Sequence, residues 1–221
     1  MERSLVIIKP DGTVRRTIGA LVVRALLDRG YSLCAFKEMK VSKELAEMHY
    51  DVHREKPFFP WLVEFITSAR VLVMIFEGPS VIEGIREALG ATFVQKASPE
   101  TLRGKYGLYG GINIAHASDA PETAAKEIRL WTEKGGVIEA PSAQSEAIRY
   151  IESYTRNGVD YTAEIRQLIT TAIQNNDKST AVLQSLEDWL SKDARNIETQ
   201  EVHALASAIF SLIREEIDKK E

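Results

Sequence analysis

Leu5-Val6-Ile7-Ile8-Lys9-Pro10-Asp11-Gly12 decides how this chain begins to fold. Four apolar residues, three of them β-branched, read as a short strand. Lys9-Pro10-Asp11-Gly12 then reads as a turn, since proline has no ladder donor and Asp-Gly favours reversal. Outward from this point the periodicity switches between helix and strand. Leu21, Val22, Ala25 and Leu26 share a helical face between Gly19 and Arg29, and Gly30 sits where a terminating glycine belongs. Tyr31, Leu33 and Ala35 alternate in strand fashion, and Ser42 is placed to cap a helix running to Tyr50. Val71-Leu72-Val73-Met74-Ile75-Phe76 is short enough for a strand covered on both faces. Val81 to Leu89 reads as a helix and Gly90 to about Gly111 as a loop. Asp119-Ala120-Pro121-Glu122 opens a helix to Trp131, with proline early, where its missing N–H costs little. The order β-α-β-α-α-β-α-loop-β-α predicts the α+β class. A ferredoxin-like, mainly antiparallel sheet covered by helices on one face is the specific expectation.

Beyond Trp131 the character changes. Lys134-Gly135-Gly136 and Pro141 mark a linker, which divides the chain into residues 1–135, a linker at 136–144 and an all-helical module at 145–221. In that module Ile165, Leu168, Ile169, Ala172 and Ile173 fall at helical spacing, as do Val182, Leu183, Leu186, Trp189 and Leu190. Val202, Leu205, Ala206, Ile209, Phe210, Ile213 and Ile217 form one continuous stripe, so the module buries a surface, either within itself or against another subunit, and an appendage for self-association or docking is expected. The module reads as four helices, or as three with a weaker leader around Ala147, Ile148 and Ile151.

Charge divides the same way. Residues 1–135 carry 19 Lys and Arg against 17 Asp and Glu, and the remainder 9 against 15. An acidic second half makes nucleic acid an unlikely partner. No apolar run approaches the ~20 residues that span a bilayer, and the opening Met1-Glu2-Arg3-Ser4-Leu5 lacks the pattern of a signal peptide. Cys34 is the only cysteine, so neither an intramolecular disulfide nor a cysteine-based metal cluster is available. A cytoplasmic protein is expected.

Chemistry concentrates in Asn113-Ile114-Ala115-His116-Ala117-Ser118-Asp119. A histidine ends a strand just ahead of a helix start, where unpaired N–H groups attract phosphate. A neutral imidazole is a competent nucleophile near pH 7. Glu127, on the following helix, can fold back to orient it. Alone, such a histidine is more often structural than catalytic. It does not stand alone, because Lys9, Tyr50, Phe58, Arg86, Thr92 and Arg103 recur in order with Asn113, His116, Ser118 and Glu127.

Together these residues resemble the nucleoside diphosphate kinase family from about Arg3 to Trp131. The resemblance implies transfer of the terminal phosphoryl of a nucleoside triphosphate to His116, then to a nucleoside diphosphate, in ping-pong fashion. It implies phosphate contacts from Lys9, Arg86, Arg103 and Thr92, and ribose contacts from Lys9 and Asn113. Phe58 would stack on the base, while Tyr50, Ser118 and Glu127 surround the imidazole. Mg²⁺ would travel with the nucleotide, touching protein through water, with Asp119 the nearest candidate. A homo-oligomer is also implied. Three positions depart from the family pattern: Ala117 replaces a usual glycine, Gly110 a usual apolar residue near the base, and Ile112 a common arginine. Readings of other classes are a nucleotide-binding regulatory module without turnover and a scaffold. Retention of His116 and its cationic neighbours speaks against both.

Overall fold

The computed structural model describes residues 1–219. Strands β1 (Glu2–Ile8), β2 (Ser32–Met39), β3 (Val71–Gly78) and β4 (Ala115–Ala117) form one sheet in the order β2-β3-β1-β4. Every pairing is antiparallel, as in a ferredoxin-like sheet. Helices α1 (Pro10–Val14) and α2 (Arg16–Leu27) connect β1 to β2. Helices α3 (Lys43–His49) and α4 (Phe59–Thr67) lead to β3, and α5 (Val81–Leu89) and α6 (Leu102–Tyr106) lead to β4. Helix α7 (Pro121–Glu133) follows.

Helices cover both faces of the sheet, not one. Successive side chains of β1 point to opposite sides. Val6 and Ile8 therefore pack with Val22, Leu26 and Ile85 from α2 and α5. Leu5 and Ile7 pack with Leu45, Ile66 and Trp131 from α3, α4 and α7. The physical sign was β3, where Val71 to Phe76 are all fully buried. A one-sided sheet would have shown polar alternation there.

Two local expectations also change. Pro10-Asp11-Gly12 does not form a free turn but begins α1, with proline at the helix start. Gly12 permits this helix to lie against the sheet, since a Cβ there would meet Ile8 Cγ2 at 2.6 Å. The stretch read as a loop from Gly90 to Gly111 contains α6, capped by Thr101, whose hydroxyl accepts from Gly104 N at 3.3 Å. Five residues are too few for a period of 3.6 to register.

The last part of the chain forms α8 (Ala143–Thr155), α9 (Thr162–Gln174), α10 (Thr180–Ser191) and α11 (Thr199–Asp218). Ala147, Tyr150 and Ile151 of α8 belong to the core shared by α2 and β2. Helices α9 to α11 bury their stripes together with Val14, Trp61, Phe65, Leu108 and Ile112. Ile112, where an arginine is common in the resembled family, is thus an apolar contact for these helices. The connecting residues are also pinned: Ala140 N donates to Cys34 O at 3.0 Å, and Lys37 Nζ donates to Gly136 O at 2.7 Å. Asp193, after α10, accepts from Thr17 N at 2.6 Å and Thr17 Oγ1 at 3.0 Å, placing an anion at the start of α2.

Candidate active site

Register along β1 brings the first candidates together. Ile7 lies opposite His116 and Ile8 opposite Ala115, so Lys9 emerges beside Asn113. Lys9 N donates to Ile114 O at 2.8 Å, and Lys9 Nζ donates to Asn113 Oδ1 at 2.8 Å. Ile114 between them has φ +67°, a left-handed backbone that costs a β-branched residue about 1–2 kcal/mol. The buried carboxylate of Asp11 holds it, accepting from Ile114 N at 2.9 Å. Asn113 Nδ2 donates to Thr92 O at 2.7 Å, which ties the exposed Thr92 loop to the same point.

His116 is half-buried. Glu127 Oε1 lies 2.8 Å from its Nε2, although the N–H is not aimed squarely at that oxygen. The other Glu127 oxygen accepts from Ser118 Oγ at 2.6 Å, and Ser118 Oγ accepts from Leu5 N at 3.1 Å. Backbone and serine thus hold the glutamate beside Nε2, on the side of the ring away from Nδ1. His49, which sequence reasoning passed over, packs edge-on against His116 with centroids 4.6 Å apart. Burial, then the neighbouring His116, keep His49 neutral by pushing its pKa well down.

His49, His116 and Glu127 bring three ligating atoms within 4.8 Å of one another. They do not suit a metal. Trp131 Nε1 donates to His49 Nδ1 at 3.2 Å, so the remaining nitrogen, Nε2, carries the proton and is a donor. Tyr50 is buried beside them and its hydroxyl has no protein partner. Burial, with Glu127 and Asp11 adding to it, raises its pKa and keeps it a phenol.

Three cations share the cleft with this imidazole: Lys9, Arg86 and Arg103. Arg103 is buried; its Nη1 donates to Gly90 O at 2.9 Å and its Nη2 to Ala115 O at 2.8 Å, while Nε is unpaired. Burial and the adjacent Arg86 lower Arg103 to about 10. Lys9 is lowered to about 8 by burial first and Arg103 second, with Asp11 opposing. In both groups burial is the larger cause and a neighbouring cation the second, so positive charges lie close together in this cleft.

The cleft itself is about 760 Å³ and holds His116, Lys9, Arg86, Thr92, Arg103, Asn113, Tyr50, Asp119 and Glu127 in its walls. A shallower depression of about 370 Å³ adjoins it through Arg86 and Asp119 but lacks the histidine. Phe58, 44% exposed, and Leu62 from α4 line the same cleft. Every residue that the sequence singled out therefore faces one cleft, except Ser118, which sits behind His116. Sequence reasoning missed His49 and Trp61. It also missed four residues near the end of the chain, Leu212, Glu215, Glu216 and Lys219, which line the same cleft. No local signal could have found the last group, because only tertiary packing brings α11 there.

For Mg²⁺, the carboxylates near the phosphate side decide the fit. Glu127 is held by His116 and Ser118, and Asp119 is exposed at the mouth beside Arg86. That set fits an ion carried by phosphates and water, not a protein cage.

An antiparallel ferredoxin-like sheet presenting an oriented imidazole to a cationic cleft defines a phosphotransferase class. The nucleoside diphosphate kinase family model matches residues 2–137. Nucleoside diphosphate kinase of Trichormus variabilis is 52% identical over 131 residues, covering 59% of this chain and 87% of that protein. The Symbiobacterium thermophilum enzyme is 50% identical over 131 residues, with the same coverage. Among solved structures, Aquifex aeolicus nucleoside diphosphate kinase aligns with a TM-score of 0.56 and 36% identity. It covers 62% of this chain and 99% of its own. A family protein from Babesia bovis aligns with a TM-score of 0.58 and 34% identity, covering 65% of this chain and 98% of its own. The chain belongs to the nucleoside diphosphate kinase family. It is a nucleotide-binding phosphotransferase, and helices α8 to α11 are an addition to the family segment.

Proposed function

We propose that His116 carries the phosphoryl group, through Nδ1, between a nucleoside triphosphate and a nucleoside diphosphate. The observation that supports this most directly is the imidazole whose Nε2 lies 2.8 Å from Glu127, itself held by Ser118, in a cleft that also holds Lys9, Arg86 and Arg103. In the first half-reaction the Nδ1 lone pair attacks the γ-phosphorus. The P–Nδ1 bond forms, the bond to the β,γ-bridging oxygen breaks, and the nucleoside diphosphate leaves with that electron pair. The ring keeps its Nε2 proton, and Glu127 balances the charge it gains. The second half-reaction reverses these steps with a different acceptor. Lys9, Arg86, Arg103 and Thr92 hold the equatorial phosphate oxygens, which is most of what phosphoryl transfer asks of a protein. Lys9 and Asn113 reach the ribose, and Phe58 stacks on the base. Mg²⁺ bound to the phosphates would neutralise charge there, with Asp119 contacting it through water.

Among the described residues no helix is long and apolar enough to cross a membrane.

Incubation with γ-labelled ATP should give a phosphoprotein that is stable to base and labile to acid. His116→Ala should abolish both the label and transfer to nucleoside diphosphate. Persistence of either in that variant would overturn the assignment.

A further inference from the structure

Helix α6 carries Arg103 and is poorly equipped to hold its own shape. It has five residues, one of them Gly104, and glycine weakens a helix relative to alanine. The last carbonyls of a helix lack partners within it, and a helix this short has few others. Arg103 donates only to the backbone carbonyls of Gly90 and Ala115, and no carboxylate among the described residues pairs with its guanidinium. Its place therefore depends on the backbone of α6.

Two other arginines supply what α6 lacks. Arg15, between α1 and α2, donates from Nη2 to Tyr106 O at 2.7 Å and from Nη1 to Thr162 Oγ1 of α9 at 2.9 Å. Arg166 of α9 donates from Nε to Gly107 O at 2.6 Å and from Nη2 to Gly104 O at 2.8 Å. The same Nη2 reaches Arg103 O at 3.5 Å. Arg166 makes no salt bridge among the described residues, so its fork is spent on these carbonyls, at the helix end where a cation is favoured. Gly107 is packed in turn on the site, since a Cβ there would meet Asn113 Cα at 3.5 Å. The family match ends at residue 137, so Arg166 lies outside it.

We infer that Arg166 is a positioning residue for phosphoryl transfer, holding α6 from the added helix α9 so that Arg103 meets the phosphates. This rests on the phosphate role proposed for Arg103. A planar fork spans two carbonyls at once, which a lysine ammonium does not reproduce. A displacement of about 1 Å in a group that positions the reacting phosphate can cost about a hundredfold in rate.

The test is a double-mutant cycle on the full chain, with ATP as donor and UDP as acceptor, reading kcat/KM beside the melting temperature. Arg166→Met should lower kcat/KM by about ten- to a hundredfold. Once Arg103→Gln has removed the group being positioned, Arg166→Met should cost almost nothing further in rate, yet lower the melting temperature as much as before. Arg166→Lys keeps the charge without the fork and should fall between; it takes the place of Arg166→Met should that variant not fold. Full activity in both Arg166 variants would overturn the inference. So would an equal loss of rate with and without Arg103, which would mean that Arg166 serves the fold alone. Failure of the underlying reading looks different, since Arg103→Gln by itself would then leave transfer unimpaired.

Discussion

The Tyr50 hydroxyl is buried, remains a phenol, and meets no partner among the described residues. A buried polar group left unpaired costs about 1–3 kcal/mol. Removing it should therefore leave the fold as stable or slightly more so. If the hydroxyl serves the phosphoryl group, Tyr50→Phe should still lower kcat/KM about tenfold, the loss of one hydrogen bond to a charged group. Melting curves and steady-state rates on one preparation separate the two effects; unchanged rates would remove Tyr50 from the chemistry. Lys9 makes a second case. Burial and Arg103 bring it down to about 8, and only the protonated amine can bind phosphate. In the free enzyme it is largely charged below that pH and neutral above it, so log kcat/KM should turn downward as pH rises past about 8. Lys9→Arg, always protonated, should lower the plateau but move that limb away. A limb at the same pH in Lys9→Arg would assign it to another group.

At the level of elements, the best-anchored contact between the added helices and the sheet is Glu201 of α11 with Arg70 at the start of β3. Arg70 N donates to Glu201 Oε2 at 2.8 Å, and the guanidinium grips both carboxylate oxygens. Burial pushes the Glu201 carboxyl up, but these bonds outweigh it and hold it at about 2, against an ordinary 4.5. A depressed carboxylate stabilises the fold above its unfolded value and loses that contribution as pH falls toward its folded value. The contribution is at most about 3 kcal/mol, so the melting temperature should decline between pH 4.5 and 2, and Glu201→Gln should flatten that decline. An identical acid limb in the variant would count against this contact. The stripes on α9 to α11 were plain in the sequence, and α5 was legible from Val81 to Leu89, because periodicity reports burial directly. Periodicity does not say what covers a stripe. Hence Trp61 and Ile112 could not be paired with α11, nor Glu215 with a cleft whose histidine lies far back in the chain. The site residues from Lys9 to Glu127 were legible for the opposite reason, since their identities and order carried the signal without any packing argument. His49 was not, because its role depends on a ring contact with His116 and a hydrogen bond from Trp131.

For the whole molecule, the decisive fact is that α8 to α11 share cores with the catalytic segment. Val14, Trp61, Phe65, Ala69, Leu108 and Ile112 of that segment lie in one cluster with Ile165, Leu186, Leu205 and Ile209. Of the two expected uses of the stripe, burial within the chain or against another subunit, the first holds, and the catalytic segment shares in it. A chain ending after Glu133 would expose those six residues and would also strip Ala147, Tyr150 and Ile151 from the sheet. Burying a large apolar side chain stabilises by about 1.5–3 kcal/mol, so six exposures remove on the order of 10 kcal/mol. That equals the whole stability of an ordinary domain, about 5–15 kcal/mol. The solved relative from Aquifex aeolicus aligns over 99% of its own length with only 62% of this chain, so the family segment needs no such addition elsewhere. Here Ile112 stands where an arginine is common, which leaves an apolar surface that the added helices must cover. The shortened chain should therefore aggregate or associate through the uncovered face, and its melting temperature should fall by more than 15 °C, as several kcal/mol lost from a domain of this size implies. Size-exclusion chromatography with light scattering, alongside thermal melts, distinguishes the outcomes. A shortened chain with an unchanged melting temperature and an unchanged mass per particle in proportion to its length would show that the helices are dispensable to the fold. The shared cores would then be contacts without energetic consequence.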